Sequence, residues 1–295
     1  MSEIFGIPIQ ALIGQLLLGL VNGSFYAMLS LGLAVIFGML NIINFSHGTM
    51  YMMGAYGAWM ALNWLGIGYW WALALVPLGM AVIGVAIERG LLRWIYHLDH
   101  LYGLLLTFGL AWVIEGLYRD SFGSGGQSYP APDALSGASD LGFMILPDYR
   151  AWVVVASLGV CLLTWFSIER TRFGAYLRAA TENPKIVQTF GINVPLMLTL
   201  TYGVGVGLAA LAGVLAAPVI QVTPLMGSNV IIVVFAVVVI GGLGSILGAI
   251  VTGVALGLLE GLTKVFYPEA SNTVVFLAMA LVLLLKPAGL FGKEA

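Results

Sequence analysis

The chain has 295 residues, of which 61% are hydrophobic and only 8% are charged. Soluble domains carry about 25% charged residues, so this composition excludes an ordinary water-soluble core and predicts a protein embedded in a bilayer. The net charge of −2 and the lack of a basic cluster argue against a nucleic-acid partner. Cys161 is the single cysteine, so the chain can form neither an intramolecular disulfide nor a cysteine metal site.

The apolar segments predict an all-α polytopic membrane protein, a single domain over residues 1–295, with eight or nine transmembrane helices. The first segment, Gln10 to Leu40, is longer than the ~20 residues that a bilayer core requires. It is either one long tilted helix or two pieces broken near Asn22-Gly23-Ser24. The later segments lie near Thr49–Leu65, Trp70–Trp94, Leu104–Leu117, Ala151–Ile168, Leu196–Val219, Asn229–Gly241, Ser245–Val265 and Asn272–Leu285.

Glycines spaced by four residues predict helices that pack closely in lipid. They occur at Gly19/Gly23, Gly203/Gly207 and Gly253/Gly257/Gly261.

Two interruptions break the apolar pattern without charge, Asn44–Gly48 (NFSHG) and Gly241–Gly248 (GGLGSILG). They lie in different halves of the chain. Glycine-interrupted segments in both halves of a membrane protein are typical of a transporter's pathway, because unwound backbone can line a cavity. The alternative is a tight turn between two spans at each place.

The segment Arg172–Pro195 is polar but carries the signals of an ordered helix. Asn183 can cap the helix and Pro184 suits its first position. Gly191 is a natural stop, which predicts a helix over Pro184–Phe190 of about 10 Å. Ile186, Val187 and Phe190 are expected on one face, where they would form a docking surface for another protein. The alternative is an amphipathic loop.

Lysine and arginine predict the orientation. The Glu88–Tyr102 loop, the Glu169–Pro195 loop and the C-terminal tail hold eight of the 11 basic residues, including Lys293, which makes their side cytoplasmic. The C-terminus is then inside and, if nine segments cross, the N-terminus is outside. The acidic, turn-rich Asp120–Tyr149 loop is external.

Isolated ionisable residues are weaker candidates. Glu115 and Glu260 fall within or near spans, where a carboxylate is costly and a functional candidate, unless an interface keeps it hydrated. His47 lacks a second metal ligand at helical spacing, so a pore-lining or packing role is favoured. His97 and His100 have a metal-compatible spacing, but a solvated loop is the better interpretation.

No phosphate-binding loop motif is present, so any ATPase would be another chain. No nucleophile, acid–base pair or metal cluster indicates an enzyme.

Three ordered motifs resemble the branched-chain amino acid ABC transporter permease family of the LivH type. The first is Asn41–Gly48, the second is Arg178–Pro184 followed by Gly191-Ile192-Asn193, and the third is Gly241–Ala249. Leu247 stands where the family often has proline. The similarity extends over nearly the whole chain in order and spacing.

The resemblance implies an inner-membrane permease subunit of a bacterial ABC importer, which forms the translocation path for branched-chain or related amino acids. A second permease, two ATP-binding cassette subunits and a periplasmic binding protein are the implied partners. ATP and Mg would be bound by the ATPase subunits, and this chain would hold neither a cofactor nor a metal. Residues 120–149 would form a periplasmic loop and residues 169–195 a cytoplasmic coupling loop.

The resemblance also implies two sets of functional residues. The set that would couple to the ATPase is Arg178, Glu182, Asn183, Pro184, Ile186, Val187, Phe190 and Gly191. The set that would line or hinge the translocation pathway is Asn44, Ser46, His47, Gly48, Gly241, Gly242, Gly244 and Ser245.

Two alternatives remain at this point. Related importers carry urea, short amides, aromatic acids or other carboxylates, with sugar and nucleoside permeases more distant, and the sequence does not separate the near ones. A stand-alone secondary transporter would need ionisable groups in mid-membrane for ion coupling, and these are sparse.

Overall fold

A computed structural model describes residues 3–4, 7–40 and 42–292. Asn41 and Lys293, which the motif and orientation arguments used, lie outside the described residues. Most of the described chain is helical. The helices are α1 (Ile9–Leu40), α2 (His47–Leu65), α3 (Tyr69–Gly90), α4 (His100–Phe122), α5 (Asp148–Glu169), α6 (Arg172–Glu182), α7 (Pro184–Thr189), α8 (Val194–Ala216), α9 (Met226–Gly241), α10 (Ile246–Phe266) and α11 (Val274–Leu285).

α1 is one continuous helix of 32 residues, which makes it about 48 Å long. Of the two alternatives for Gln10–Leu40, the single long helix is therefore right. The helix continues through Asn22-Gly23-Ser24 because the Ser24 hydroxyl donates to the Val21 carbonyl at 2.7 Å and Gly23 packs against α10.

The glycines spaced by four residues form the helix contacts that the sequence predicts. α1 packs on α10 with Gly19 and Gly23 against Gly253, Gly257 and their neighbours, so closely that an added Cβ would meet backbone atoms of the facing helix. Gly203 and Gly207 of α8 face α3 in the same way. These backbone contacts hold the centre of the bundle together by close van der Waals packing.

α2 lies in the interior of the bundle, in contact with α3, α4, α8 and α9. The His47 ring at its first residue is hydrogen-bonded to the carbonyl of Leu29 at 3.0 Å. Leu29 precedes the end of α1 by 11 residues, or about 16 Å. The chain after α1 therefore turns back into the bundle before α2 begins.

Within the part of the chain that the structure describes, six helical segments are long and apolar enough to cross a membrane by length and composition. They are α1, α3 with the 3-10 turn that follows it to Ile95, α4, α5, α8 and α10. α9 and α11 are apolar but shorter, and α2 is not apolar enough to be included. The polytopic helical class is confirmed, whereas a count of eight or nine crossings stays a prediction.

Short strands are a local departure from the all-α prediction. β1 (Glu3–Ile4) pairs with β2 (Ile7–Pro8), and β3 (Ala138–Asp140) pairs with β4 (Ile145–Pro147), both antiparallel. The second pair organises the predicted external loop. Gln127 in the same loop forms a β-bridge with Val222 in the linker between α8 and α9.

Candidate functional site

The regions that the sequence predicts to be functional contact α1 at different heights along its axis. Asn22, Phe25 and Tyr26 border a cavity, Leu29 and Gly32 contact the NFSHG turn, and Gly38 contacts the GGLGS turn. Gly32 and Gly38 are six residues apart, so the two turns lie about 9 Å from each other along the helix.

α7 has the ends that the sequence predicts. The Asn183 side chain accepts a hydrogen bond from the Ile186 N–H at 3.1 Å, and Pro184 is in the first turn. Gly191 has a φ of +80°, the left-handed conformation that favours glycine. Asn193 caps α8 by accepting from the Leu196 N–H at 3.1 Å. α7 and α8 are thus two capped helices joined by four residues.

Ile186, Val187 and Phe190 all border the same groove, but they differ in burial. Val187 is buried with Ala180 of α6 and Val194 of α8. Ile186 and Phe190 point outward and are 54% and 79% exposed. The difference arises because α6 and α8 pack against one side of α7 and cover only Val187. An open groove of about 570 Å³ remains along α6 and α7, bordered by Glu182, Ile186 and Phe190.

Arg178 attaches α6 to the end of α5. Its guanidinium donates to the Ile168 carbonyl at 2.8 Å and to the Glu169 carboxylate at 3.3 Å. Both charged side chains are nearly half exposed, so the ion pair itself contributes little. Arg178 also borders a small cavity of about 80 Å³ with Gly38 and Gly244. The structure therefore brings the predicted coupling segment next to the GGLGS turn.

The NFSHG turn is buried within the chain. Asn44 Oδ1 accepts from the Ser46 hydroxyl at 2.6 Å and from the Ser46 N–H at 3.1 Å, while its Nδ2 donates to the Tyr202 hydroxyl at 3.2 Å. His47 is fully buried, and its Nδ1 has no partner within the described residues. Gly48 packs against the backbone of Gly227 at the start of α9. These residues join α1, α2, α8 and α9.

The GGLGS turn joins α9 to α10 with two residues in the left-handed conformation, Gly242 at φ +99° and Gly244 at φ +82°. Ser245 caps α10 by accepting from the Gly248 N–H at 3.1 Å. Gly241 packs against Gly248. The tail docks here as well, since the Phe291 N–H donates to the Gly241 carbonyl at 3.1 Å.

A cavity of about 330 Å³ lies between α1, α2, α9 and the α8–α9 linker. We call it the linker cavity. Its polar lining residues are Asn22, Tyr26, Tyr51, Gln221, Thr223 and Asn229. Of these six side chains, only that of Tyr26 forms a hydrogen bond with another described residue. The other five polar groups are therefore available to bind a ligand in the cavity. None of the described residues that line the cavity is charged.

The linker cavity was missed by the sequence reasoning, which placed the pathway only at the two turns. Asn22, at the possible break in the first apolar segment, is a polar residue within an apolar run, and this is the one signal that the sequence offers for the cavity. Tyr51, Gln221 and Asn229 gave no signal, because their approach depends on α2 starting deep in the bundle and on the fold of the linker.

Glu88 is a second feature that the sequence reasoning missed. It is 1% exposed at the end of α3, where its carboxylate accepts from the Tyr96 hydroxyl at 2.8 Å and from the Thr199 hydroxyl at 2.7 Å. Burial and the hydrogen bond to Glu88 raise the pKa of Tyr96, so this phenol stays a donor. Glu88 thus links α3 to the first turns of α8.

The two carboxylates noted in the sequence have partners. Glu115 of α4 pairs with Arg119 at 2.8 Å and accepts from the Ser228 hydroxyl in the first turn of α9. Glu260 of α10 is 6% exposed, pairs with Lys264 at 2.5 Å and accepts from the Tyr26 hydroxyl at 2.8 Å. Glu260 therefore touches a residue of the linker cavity.

A bundle of apolar helices with buried polar turns and an uncharged polar cavity defines a polytopic membrane protein of the transport class. The family model described as "Branched-chain amino acid transport system / permease component" matches residues 15–285. The chain belongs to this permease family, which comprises transport permeases and not enzymes. It is a multi-pass inner-membrane protein.

Individual relatives carry the same description. The chain is 31% identical over 293 residues to the high-affinity branched-chain amino acid permease protein LivH of Salmonella typhimurium, with 95% of each chain covered. It is 30% identical to BraD of Pseudomonas aeruginosa over 295 residues, again with 95% of each chain covered. A solved structure, PsaBC from Streptococcus pneumoniae in complex with Fab, aligns over 94% of this chain and 89% of that one, at 15% identity and a TM-score of 0.43.

Proposed function

We propose that this chain is a permease subunit of an ABC importer for branched-chain or related amino acids, driven by ATP hydrolysis on partner subunits. The observation that carries the coupling role is α7, a capped helix that presents Ile186 and Phe190 outward and continues through four residues into α8. Exposed aromatic and aliphatic side chains beside a groove form the kind of surface that docks another protein.

The proposed assembly has this chain, a second related permease, two ATP-binding cassette subunits and a periplasmic binding protein. The α6–α7 segment lies on the cytoplasmic side in this proposal, with residues 169–195 as the coupling loop and residues 120–149 as the periplasmic loop. The C-terminus is cytoplasmic and the N-terminus periplasmic. Basic residues near the α6–α7 segment support this orientation.

In this mechanism, closure of the ATPase pair displaces α7. Since Val187 packs against Val194, the displacement reaches α8 directly. α8 passes it to α3 through Thr199 and Glu88, and to the start of α2 through Tyr202 and Asn44. The NFSHG and GGLGS turns act as hinges, because they lie where several helices meet. A two-state rearrangement of packed helices would open the linker cavity.

The substrate class rests on the names of the relatives and on the cavity. An uncharged polar lining suits passage of a zwitterion, since fixed charges would hold one end too tightly. The alternative within transport is an importer for urea, short amides or aromatic and other carboxylates. A Rhizobium meliloti fructose import permease is 36% identical over 118 residues, only 36% of this chain, which favours a sugar substrate much less.

The coupling role is tested with Phe190→Ala in the assembled transporter reconstituted into proteoliposomes with its binding protein. Phe190 is 79% exposed, so the fold should persist while ATPase subunits are lost on purification and ATP-driven leucine uptake falls at least tenfold, as for removal of an interface hot spot. Gln188→Ala, an exposed change on the same helix, is the matched control. Normal uptake and subunit retention by Phe190→Ala would overturn the coupling role.

A further inference from the structure

Tyr26 borders the linker cavity, and its hydroxyl is hydrogen-bonded to the Glu260–Lys264 ion pair. Its hydroxyl donates to Glu260 Oε2 at 2.8 Å, and Lys264 Nζ donates to Glu260 Oε1 at 2.5 Å. Tyr26 belongs to α1 and the two charged residues to α10, so the contact is part of the closely packed α1–α10 pair. The Glu260 carboxylate is almost entirely buried, whereas Lys264 is partly exposed.

This arrangement fixes the chemical character of the Tyr26 oxygen. A phenol has one proton, and here that proton is given to Glu260. The oxygen can then offer only lone pairs to a further partner, and the carboxylate polarises it into a better acceptor. An ammonium group has three N–H donors and no acceptor, so it is the natural partner of such an oxygen.

The other polar groups of the cavity are adaptable. The amides of Asn22, Gln221 and Asn229 each contain both a donor and an acceptor, and the hydroxyls of Tyr51 and Thr223 can rotate. These groups can therefore supply N–H and O–H donors to a carboxylate. Tyr26 differs from them because its only proton is donated to Glu260, so its hydroxyl can act only as an acceptor toward a ligand.

Apolar side chains complete the lining. Phe25, Val230 and Val233 border the same cavity, and a volume of about 330 Å³ lies at the lower end of the range for small-molecule sites. The linker cavity thus offers a fixed acceptor, several adaptable donors and an apolar wall. Those are the three requirements of a small amino acid with an apolar side chain.

We propose that Tyr26, oriented by the Glu260–Lys264 pair, is the subsite in the linker cavity for the ammonium group of a zwitterionic amino acid. This inference rests on the proposed function and deepens it by assigning the contact for one end of the substrate. Lys264 balances the charge of Glu260. The subsite therefore binds an ammonium by hydrogen bonding and lacks the tight binding that an unpaired buried carboxylate would give. Weak, directional binding suits a site through which substrate must pass.

The test uses protection of a cysteine in the cavity. Val230→Cys in a Cys161→Ala background gives this chain a single thiol, in the apolar wall of the cavity, and its reaction with a water-soluble methanethiosulfonate is timed on this chain in the assembled transporter by mass spectrometry. L-leucine should slow the reaction, whereas 4-methylpentanoate, which has the same carbon chain without the ammonium, should not. With Tyr26→Phe, the leucine concentration for half-protection should rise about tenfold, since a hydrogen bond to a charged group is lost.

Matched variants separate a local effect from a general one. Tyr56→Phe removes a buried hydroxyl that has no partner within the described residues and should leave protection unchanged. Glu260→Gln should weaken protection less than Tyr26→Phe, because an amide oxygen can still accept from the phenol. Equal protection by leucine and 4-methylpentanoate, or full protection in Tyr26→Phe, overturns the subsite.

ATP-driven leucine uptake by the wild-type complex is measured in parallel. Uptake without leucine protection would overturn the subsite and leave the proposed function standing. Absence of uptake under conditions that retain all subunits would overturn the proposed function itself.

Discussion

Asn44 occupies a position where one side chain satisfies several buried groups. It accepts from the Ser46 hydroxyl and N–H and donates to the Tyr202 hydroxyl, and all three residues are buried. An unpaired buried polar group costs about 1–3 kcal/mol. The NFSHG turn is therefore stabilised mainly by the amide of Asn44, and less by the conformational freedom of Gly48.

We expect Asn44→Ala to lower the thermal unfolding midpoint of the purified protein by several degrees, because it leaves those three groups without their partner. Differential scanning fluorimetry in detergent measures this change. Asn63→Ala is the control, since Asn63 is exposed near the end of α2 and donates only to the Trp59 carbonyl. Equal midpoints for the two variants would contradict the role of Asn44.

Residue types predicted the helix ends well and the burial of side chains poorly. Asn183, Pro184 and Gly191 specify their positions by local backbone chemistry, so the sequence predicts α7 nearly to the residue. Val187 and Ile186 are both β-branched and adjacent, and their opposite exposure depends on α6 and α8. No local pattern contains that information.

At the scale of elements, α8 connects the α6–α7 segment to the interior. Thr199 and Tyr202 are one turn apart on α8 and hydrogen-bond to different neighbours, Glu88 of α3 and Asn44 before α2. Movement of α8 therefore displaces both elements. The sequence predicts Glu88 only as the first residue of a cytoplasmic loop, and its burial depends on the hydroxyl donor that α8 supplies.

We expect Thr199→Val to lower the amount of leucine transported per ATP hydrolysed, because it keeps the side-chain shape and removes the hydroxyl that joins α8 to Glu88. Reconstituted uptake and phosphate release, measured together, give this ratio. Thr199→Ser should restore it. Thr201→Val is the control, since the Thr201 hydroxyl is buried without a partner in the described part of the chain. A normal ratio in Thr199→Val would remove Glu88 from the mechanism.

At the scale of the whole molecule, composition and segment length established the membrane class, and glycine spacing predicted the tight helix pairs. The linker cavity could not be predicted, because it forms from α1, α2, α9 and a linker that are far apart in sequence. α2 itself was recognised as a segment, but its central position follows from the turn that re-enters the bundle.

The orientation gives a further expectation. In a Cys161→Ala background, Ser136→Cys should react with an impermeant maleimide added to intact cells, and Gln188→Cys should react only after the membrane is opened. Ser136 lies before β3 in the 120–149 loop, and Gln188 is exposed on α7. The reversed labelling pattern would place the α6–α7 segment outside and exclude contact with cytoplasmic ATPases.

The position of α2 also has a consequence for biosynthesis. α2 is less apolar than the six candidate spanning segments, and it packs on α8, which begins about 130 residues later in the chain. At 5–20 residues per second, a ribosome needs roughly 10 s to make that stretch. We expect newly made α2 to remain beside α1 or within the insertion machinery during this delay, because its contacts with α8 can form only after α8 has been made.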